Sequence, residues 1–201
     1  MPDSVDPRYD ELLRGLQLGA LPPWVPQADR DRLLLLSEGH RMAIASAVAA
    51  GFPRASYYAT ALFGAAAFLD GVAGALVAMA PCDRSIQDKA RSAAQAWSET
   101  VGRPDLVEQF TYDALLGPLG EHPPYRGPDR DHLRVALSLP EEFSVASFEY
   151  DVAGFALLLE RLQARSAPVE TTRTYRPAPK KQRLVFYRAG EERLVRTIDP
   201  S

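Results

Sequence analysis

Among the three histidines and one cysteine of the 201-residue chain, His40 and Cys82 stand where a side chain could do chemistry. His40 lies in "DRDRLLLLSEGHRMAIASAVAAG", in a stripe with Leu33, Leu36, Ala43, Ala47 and Ala50 at helical spacing. An imidazole on such a stripe is a ligand or base or, more often, a core residue held by one hydrogen bond. Cys82 precedes Asp83 at a helix start, where unpaired backbone amides stabilise a thiolate. With no histidine nearby in sequence to serve as its base, an incidental cysteine is the simpler reading, and Asp83 reads as the helix cap. The chain contains no Gly-rich phosphate loop, GxSxG elbow, HExxH or CxxC. None of its histidines has a Glu three residues before it, as a two-metal bundle site would require. No metal or cofactor is therefore expected.

A second candidate site is electrostatic. The net charge is −3, but residues 166–201 carry +4 and residues 1–165 carry −7. Arg173, Arg176, Lys180, Lys181 and Arg183, with Tyr187 among them, are the candidate binding residues of this basic tail. It can dock on its own acidic body, on an acidic partner or on nucleic acid.

The elements that must carry these residues are mostly helical. A chain of this length buries roughly 70% of its unfolded surface, and its composition, 46% hydrophobic and 24% charged, is that of an ordinary folded protein. Helical patterns cover residues 8–19, 28–51, 53–80, 83–102 and 104–117. The nearly unbroken apolar run 52–81 carries, after Arg54 at its start, a single charge, Asp70. Its Ala and Gly content inserts poorly into lipid, and Tyr58, Leu62, Ala65, Leu69, Val72, Leu76 and Met79 form a large-residue stripe. It is expected to be a buried central helix, with Gly64, Gly71 and Ala78 forming a groove for a close neighbour. Residues 117–132 read as a loop broken by Gly and Pro. A helix is expected over 144–165 with Phe148, Val152, Phe155, Leu159 and Leu162 inward, and a Pro- and Thr-rich linker over 166–182. A hairpin around "AGEE" follows, with Gly190 in its turn. The expected fold is mainly α: one bundle of five to six helices over 1–165, and a linker and β-hairpin tail over 166–201.

The stretch "GHRMAIASAVAAGFPRASYYATALFGAAAFLDGVAGAL" with the later "RGPDRDH" resembles the HEPN superfamily, the matching helix pair covering residues 38–76. That resemblance implies a dimeric helical bundle. In its nuclease members an Arg and a His, four to six residues apart, cleave RNA without metal. Arg126 and His132 occupy those places: the Arg would hold a phosphate by its bidentate fork while the His moves the proton of an attacking ribose 2′-OH. A weaker resemblance joins "YDALLGPLGEHPPY" and "FEYDVAGFALLLE" to the chaperones that mature molybdenum enzymes, which bind a partner's signal peptide.

The expected function is a protein-interaction or assembly module working through the basic tail, as a homo-oligomer or with a protein partner. The alternative is a HEPN-like RNA-binding or RNA-cleaving protein of a defence or toxin system. The acidic N-terminus lacks the features of a secretory leader, and a lone cysteine suits a reducing compartment, so a cytoplasmic place without membrane insertion is expected.

Overall fold

Short-range signals set most helix boundaries in the computed structural model, which describes residues 6–78, 86–117 and 124–198. Helix α1 (Pro7–Leu18) starts at Asp6, whose carboxylate accepts from the Arg8 N–H at 2.9 Å, and stops at Gly19, which has φ 69°. Helix α2 (Gln27–Gly51) follows the turn "ALPPWVP". Prolines open α3 (Pro53–Phe63) and α6 (Pro104–Leu116) at their first positions. Between those two run α4 (Ala65–Ala78) and α5 (Ile86–Thr100). The remaining helices are α7 (Arg130–Ala136), α8 (Val152–Ala164) and α9 (Val169–Thr174). Strands β1 (Phe143–Tyr150), β2 (Pro179–Ala189) and β3 (Glu192–Ile198) form one antiparallel sheet in that order.

The fold is mainly α with a C-terminal antiparallel sheet, as expected. Nine helices and three strands among the described residues exceed the expected count because three segments depart from their pattern. First, the apolar run is not one helix. Gly64 takes φ 86°, ψ 151°, a region adopted essentially by glycine alone, and α3 and α4 meet there at 115°. The bend lets Phe63 and Phe68 flank Trp97 of α5, with ring centroids 5.5 and 4.8 Å away. Gly71 is a close-approach position, since a Cβ there would fall 2.1 Å from the Trp97 indole nitrogen. Gly64 instead makes the bend, and the side chain of Ala78 lies outside the described residues, as do Met79, Cys82 and Asp83. Tyr58, Val72 and Leu76 of the expected stripe are buried, with Phe52, Phe68 and Phe110, in the main core. Ala65 is exposed.

Second, residues 144–165 do not form a single helix. "FSVASFEY" is strand β1, and α8 begins only after Asp151, whose side chain caps it by accepting from the Gly154 N–H at 3.3 Å. Phe148 is buried from the strand, while Val152, Phe155 and Leu159 are buried from the helix. Apolar positions in a short segment satisfy either period, and here pairing with β2 decides, Val145 lying opposite Val185. Third, the expected loop 117–132 already contains the first turn of α7, and the expected linker 166–182 contains α9 and the start of β2.

The hairpin is therefore not a tail. β1, from the part expected to be the bundle, pairs with β2, so a division at 165/166 cuts through the sheet. Leu184 and Phe186 face Tyr112, Phe148, Val152 and Ala156 on one side. Val185 meets Leu133, Leu139 and Phe143 on the other. From α6, Glu108 pins the end of β1 by accepting from the N–H groups of Glu149 and Tyr150 at 2.8 and 3.1 Å.

Candidate interaction surface

Arg126 lies in the loop before α7 and His132 on the first turn of that helix, both exposed. Neither has a hydrogen-bond or ion-pair partner among the described residues, and neither lines a described cleft. Between them, Asp129 is held by a residue from the far end of the chain. Arg183 of β2 donates to its carboxylate at 2.7 Å and lies over the Tyr125 ring, 5.5 Å from the centroid. Hydrogen bonds from Arg183 and then Tyr125 lower the Asp129 carboxyl to about 2.

The tail residues mostly engage their own body. Ending α3 at Phe63 leaves carbonyls at its C-terminus without helical partners, and Arg173 of α9 donates to those of Ala61 and Leu62 at 3.1 and 2.9 Å. A cation there also complements the helix dipole. Buried Thr172 meets the Tyr57 hydroxyl at 2.9 Å. Arg176 donates to the backbone carbonyls of Arg173 and Tyr175. The Tyr187 ring lies under Arg196, 5.4 Å from its guanidinium carbon. Lys180 and Lys181 make only long, exposed ion pairs, to Asp151 at 3.7 Å and Glu149 at 3.4 Å. The segment "FEYD", expected to begin an acidic helix like that of the molybdenum-enzyme chaperones, ends a strand and caps α8.

Buried polar groups join the helices. The Asp113 carboxylate accepts from the N–H groups of Arg54 and Ala55 at 2.9 and 2.8 Å, capping α3 from α6, and from the Arg54 guanidinium at 3.0 Å. Burial pushes its carboxyl up, against the pull of these donors. Tyr58 donates to Asp105 at 2.8 Å, and burial together with that bond raises its hydroxyl to about 12. A cleft of about 450 Å³ opens beside Arg54 and Asp113, with Arg188, Glu191 and Arg193 of the hairpin opposite, so its lining charges nearly balance. Three buried groups lack partners among the described residues: the Gln109 amide, Nε2 of His40 and Nε of Arg134.

Helix α2 presents the least expected surface. Its buried residues are Ser37, Ile44, Val48 and Gly51, about a quarter turn from the stripe of Leu33, Leu36, His40, Ala43, Ala47 and Ala50 that the spacing suggested. Small uncharged residues surround the helix, so its pattern marks no single inner face. Arg41 points across to α4 and pairs with Asp70, the one acidic residue of the apolar run. Opposite the core, Leu35, Leu36 and Met42 are 75%, 59% and 56% exposed. Between Arg32 and the end of the helix, these eight outward positions (35, 36, 39, 42, 43, 46, 49 and 50) carry no charge. They fall within about 140° of each other at about 100° per residue. A surface helix ordinarily turns charged residues to water on the side away from the core. Among the described helices, α2 is the one long and apolar enough to cross a membrane by length and composition, yet 17% of its most apolar window is buried.

No family model, curated protein or solved structure matches the chain.

Proposed function

We propose that the protein is an interaction module that binds another polypeptide through the outward face of α2. The observation that carries this reading is the charge-free strip with Leu35, Leu36 and Met42 in solvent, since folded chains rarely leave a contiguous apolar patch of more than a few hundred Å² uncovered. Burying one such side chain is worth about 1.5–3 kcal/mol. The basic tail, first in line as the interaction device, leaves mainly Lys180, Lys181 and Arg176 for a partner, because Arg173 and Arg183 hold α3 and Asp129. A photo-crosslinking residue at position 35, compared with one at Gln163 on the exposed side of α8, tests the reading. Adducts at 35 alone, lost when Met42→Glu is added, are expected; equal labelling at both sites overturns it.

A second reading, a metal-independent endoribonuclease of the HEPN type, is favoured by one observation: Arg126 and His132 are exposed and without partners among the described residues. Purified protein would then cleave total RNA, and Arg126→Ala and His132→Ala would each abolish cleavage with unchanged Tm. No cleavage by the wild type ends this reading.

A further inference from the structure

We infer that the partner of the α2 face is the α2 face of a second copy of this chain, packed antiparallel about a two-fold axis near Met42 and Ala43. The inference rests on the reading of α2 as the interaction surface and names its occupant.

Side-chain size falls along the strip from its N-terminal to its C-terminal half. Its N-terminal half carries the large residues Leu35, Leu36 and Met42, and its C-terminal half the small residues Ala43, Ser46, Ala49 and Ala50. Gly39 faces open space, with nothing within 4 Å of where a Cβ would stand. An antiparallel pair centred between Met42 and Ala43 sets Leu35 against Ala50, Leu36 against Ala49, Gly39 against Ser46 and Met42 against Ala43. Every large side chain meets a small one, which is the condition for close packing without voids. A parallel pair sets Leu on Leu at one end and Ala on Ala at the other, forcing the helices apart where they are large and leaving a gap where they are small. Antiparallel packing also places each helix N-terminus beside the partner's C-terminus, where the dipoles attract.

The strip is about 24 Å long at about 1.5 Å per residue and about 10–12 Å across. That is about 240–290 Å² a side, below the roughly 800 Å² per partner of a stable specific interface, so the pairing is weak, reversible and dependent on concentration. A lipid surface fits the strip less well. Helices that lie on membranes carry Lys and Arg along their polar face and Trp or Phe on the apolar one, whereas α2 is flanked by Asp31, Arg32 and Glu38 and half of its strip is Ala, Gly and Ser.

Analytical ultracentrifugation of the full chain over a micromolar to millimolar range is the test. A monomer–dimer equilibrium is expected, weakened about tenfold or more by Leu35→Glu or Met42→Glu, since each would place a charge in the apolar seam. Both positions are largely exposed, so Tm should stay unchanged. In a Cys82→Ser background, A43C should self-link with a short bismaleimide. L35C should link to A50C but not to itself, the two copies of residue 35 lying about 22 Å apart along the axis. Self-linking of L35C indicates a parallel pair and overturns the proposal, as does a dimer indifferent to the Glu variants. A chain that remains monomeric throughout also overturns it; adducts to a different protein from position 35 would then leave the interaction reading intact. Flotation with vesicles of neutral or anionic lipid, abolished by Leu35→Glu, overturns both.

Discussion

Strand β2 is covered on both faces, whereas α2 is covered on one. β2 carries Lys180, Lys181, Arg183 and Arg188, yet Leu184, Val185 and Phe186 at its middle are buried. Its Arg183 is matched by an acidic residue of the body, so the charges sit at the rim of a core and not on an appendage. The outward side of α2 has no charge over sixteen residues and still faces solvent. The difference teaches that burial follows from what an element finds beside it. β2 finds β1, β3, α6, α8 and α7; the outer face of α2 finds none of the described elements. Small residues make that tolerable, because Ala, Gly and Ser expose little apolar area each, and Leu35, Leu36 and Met42 are what makes the face a binding surface.

The largest effect that could break this comparison is truncation after Arg165. It removes β2 and β3, leaving β1 unpaired and the faces of α6, α8 and α7 bare. Burial of Leu184, Val185 and Phe186 alone is worth about 1.5–3 kcal/mol each, against a typical total stability of about 5–15 kcal/mol. The truncated chain should show no cooperative melt by circular dichroism, and Val185→Asp in the full chain should do nearly the same. Leu35→Lys on α2 should move stability by less than about 0.5 kcal/mol. A truncated protein that melts sharply near the full-length Tm would make the hairpin an appendage after all.

Alkaline pH sharpens the comparison, because covered tyrosines titrate in the core while the bare strip has nothing to ionise. Burial raises Tyr58 and Tyr112 from 10.0 to about 12, with a hydrogen bond to Asp105 contributing at Tyr58. Both are favoured neutral in the fold, so their contribution is fully present below pH 10 and is lost as pH rises toward 12. Each should remove about 2–3 kcal/mol over that window, at about 1.4 kcal/mol per pH unit. Urea titrations at pH 9, 10 and 11 should show the loss, and Tyr112→Phe should remove about half of it. A slope unchanged in Tyr112→Phe would show that the sheet-side tyrosine is not the titrating group.

How far the sequence was legible follows the range of each signal. Caps and stops act within a few residues, so Gly19, Pro53, Pro104 and Gly190 marked their boundaries correctly. The inward residues Leu106, Phe110, Phe155 and Leu159 were also legible, since a charged face opposed each of them. Strand β1 was not, because helix and strand periods coincide over Phe148 and its neighbours and only β2, some forty residues away, chooses between them. The bend at Gly64 was hidden because an isolated glycine in an apolar run is tolerated in a helix; what selects the turn is Trp97 between two phenylalanines. Of the candidate site, the exposure of Arg126 and His132 was foreseeable from their loop. The bare side of α2 does not stand out in the helical pattern as a binding surface, although positions 35, 39, 42, 46 and 49 lack charge as completely as any inward stripe. Two apolar sides on one helix are the signal that would have found it.

The smallest expected effect concerns two glycines. Gly71 lies under Trp97, and a Cβ there would stand 2.1 Å from the indole nitrogen; Gly39 meets nothing within 4 Å. Gly71→Ala must therefore displace the ring or spread α4 from α5, costing about 1–3 kcal/mol. Gly39→Ala carries no such clash and gains helix propensity, so the monomer should become more stable by up to about 1 kcal/mol. If α2 packs on a second copy, however, the added methyl at 39 meets Ser46 of that copy and holds the helices apart. The same substitution should then raise Tm in dilute solution and weaken association measured by ultracentrifugation. Opposite signs from one methyl group are what a face open in the monomer and closed in the dimer produces. A rise in Tm with association unchanged would place position 39 outside the seam and shift the two-fold axis away from Met42.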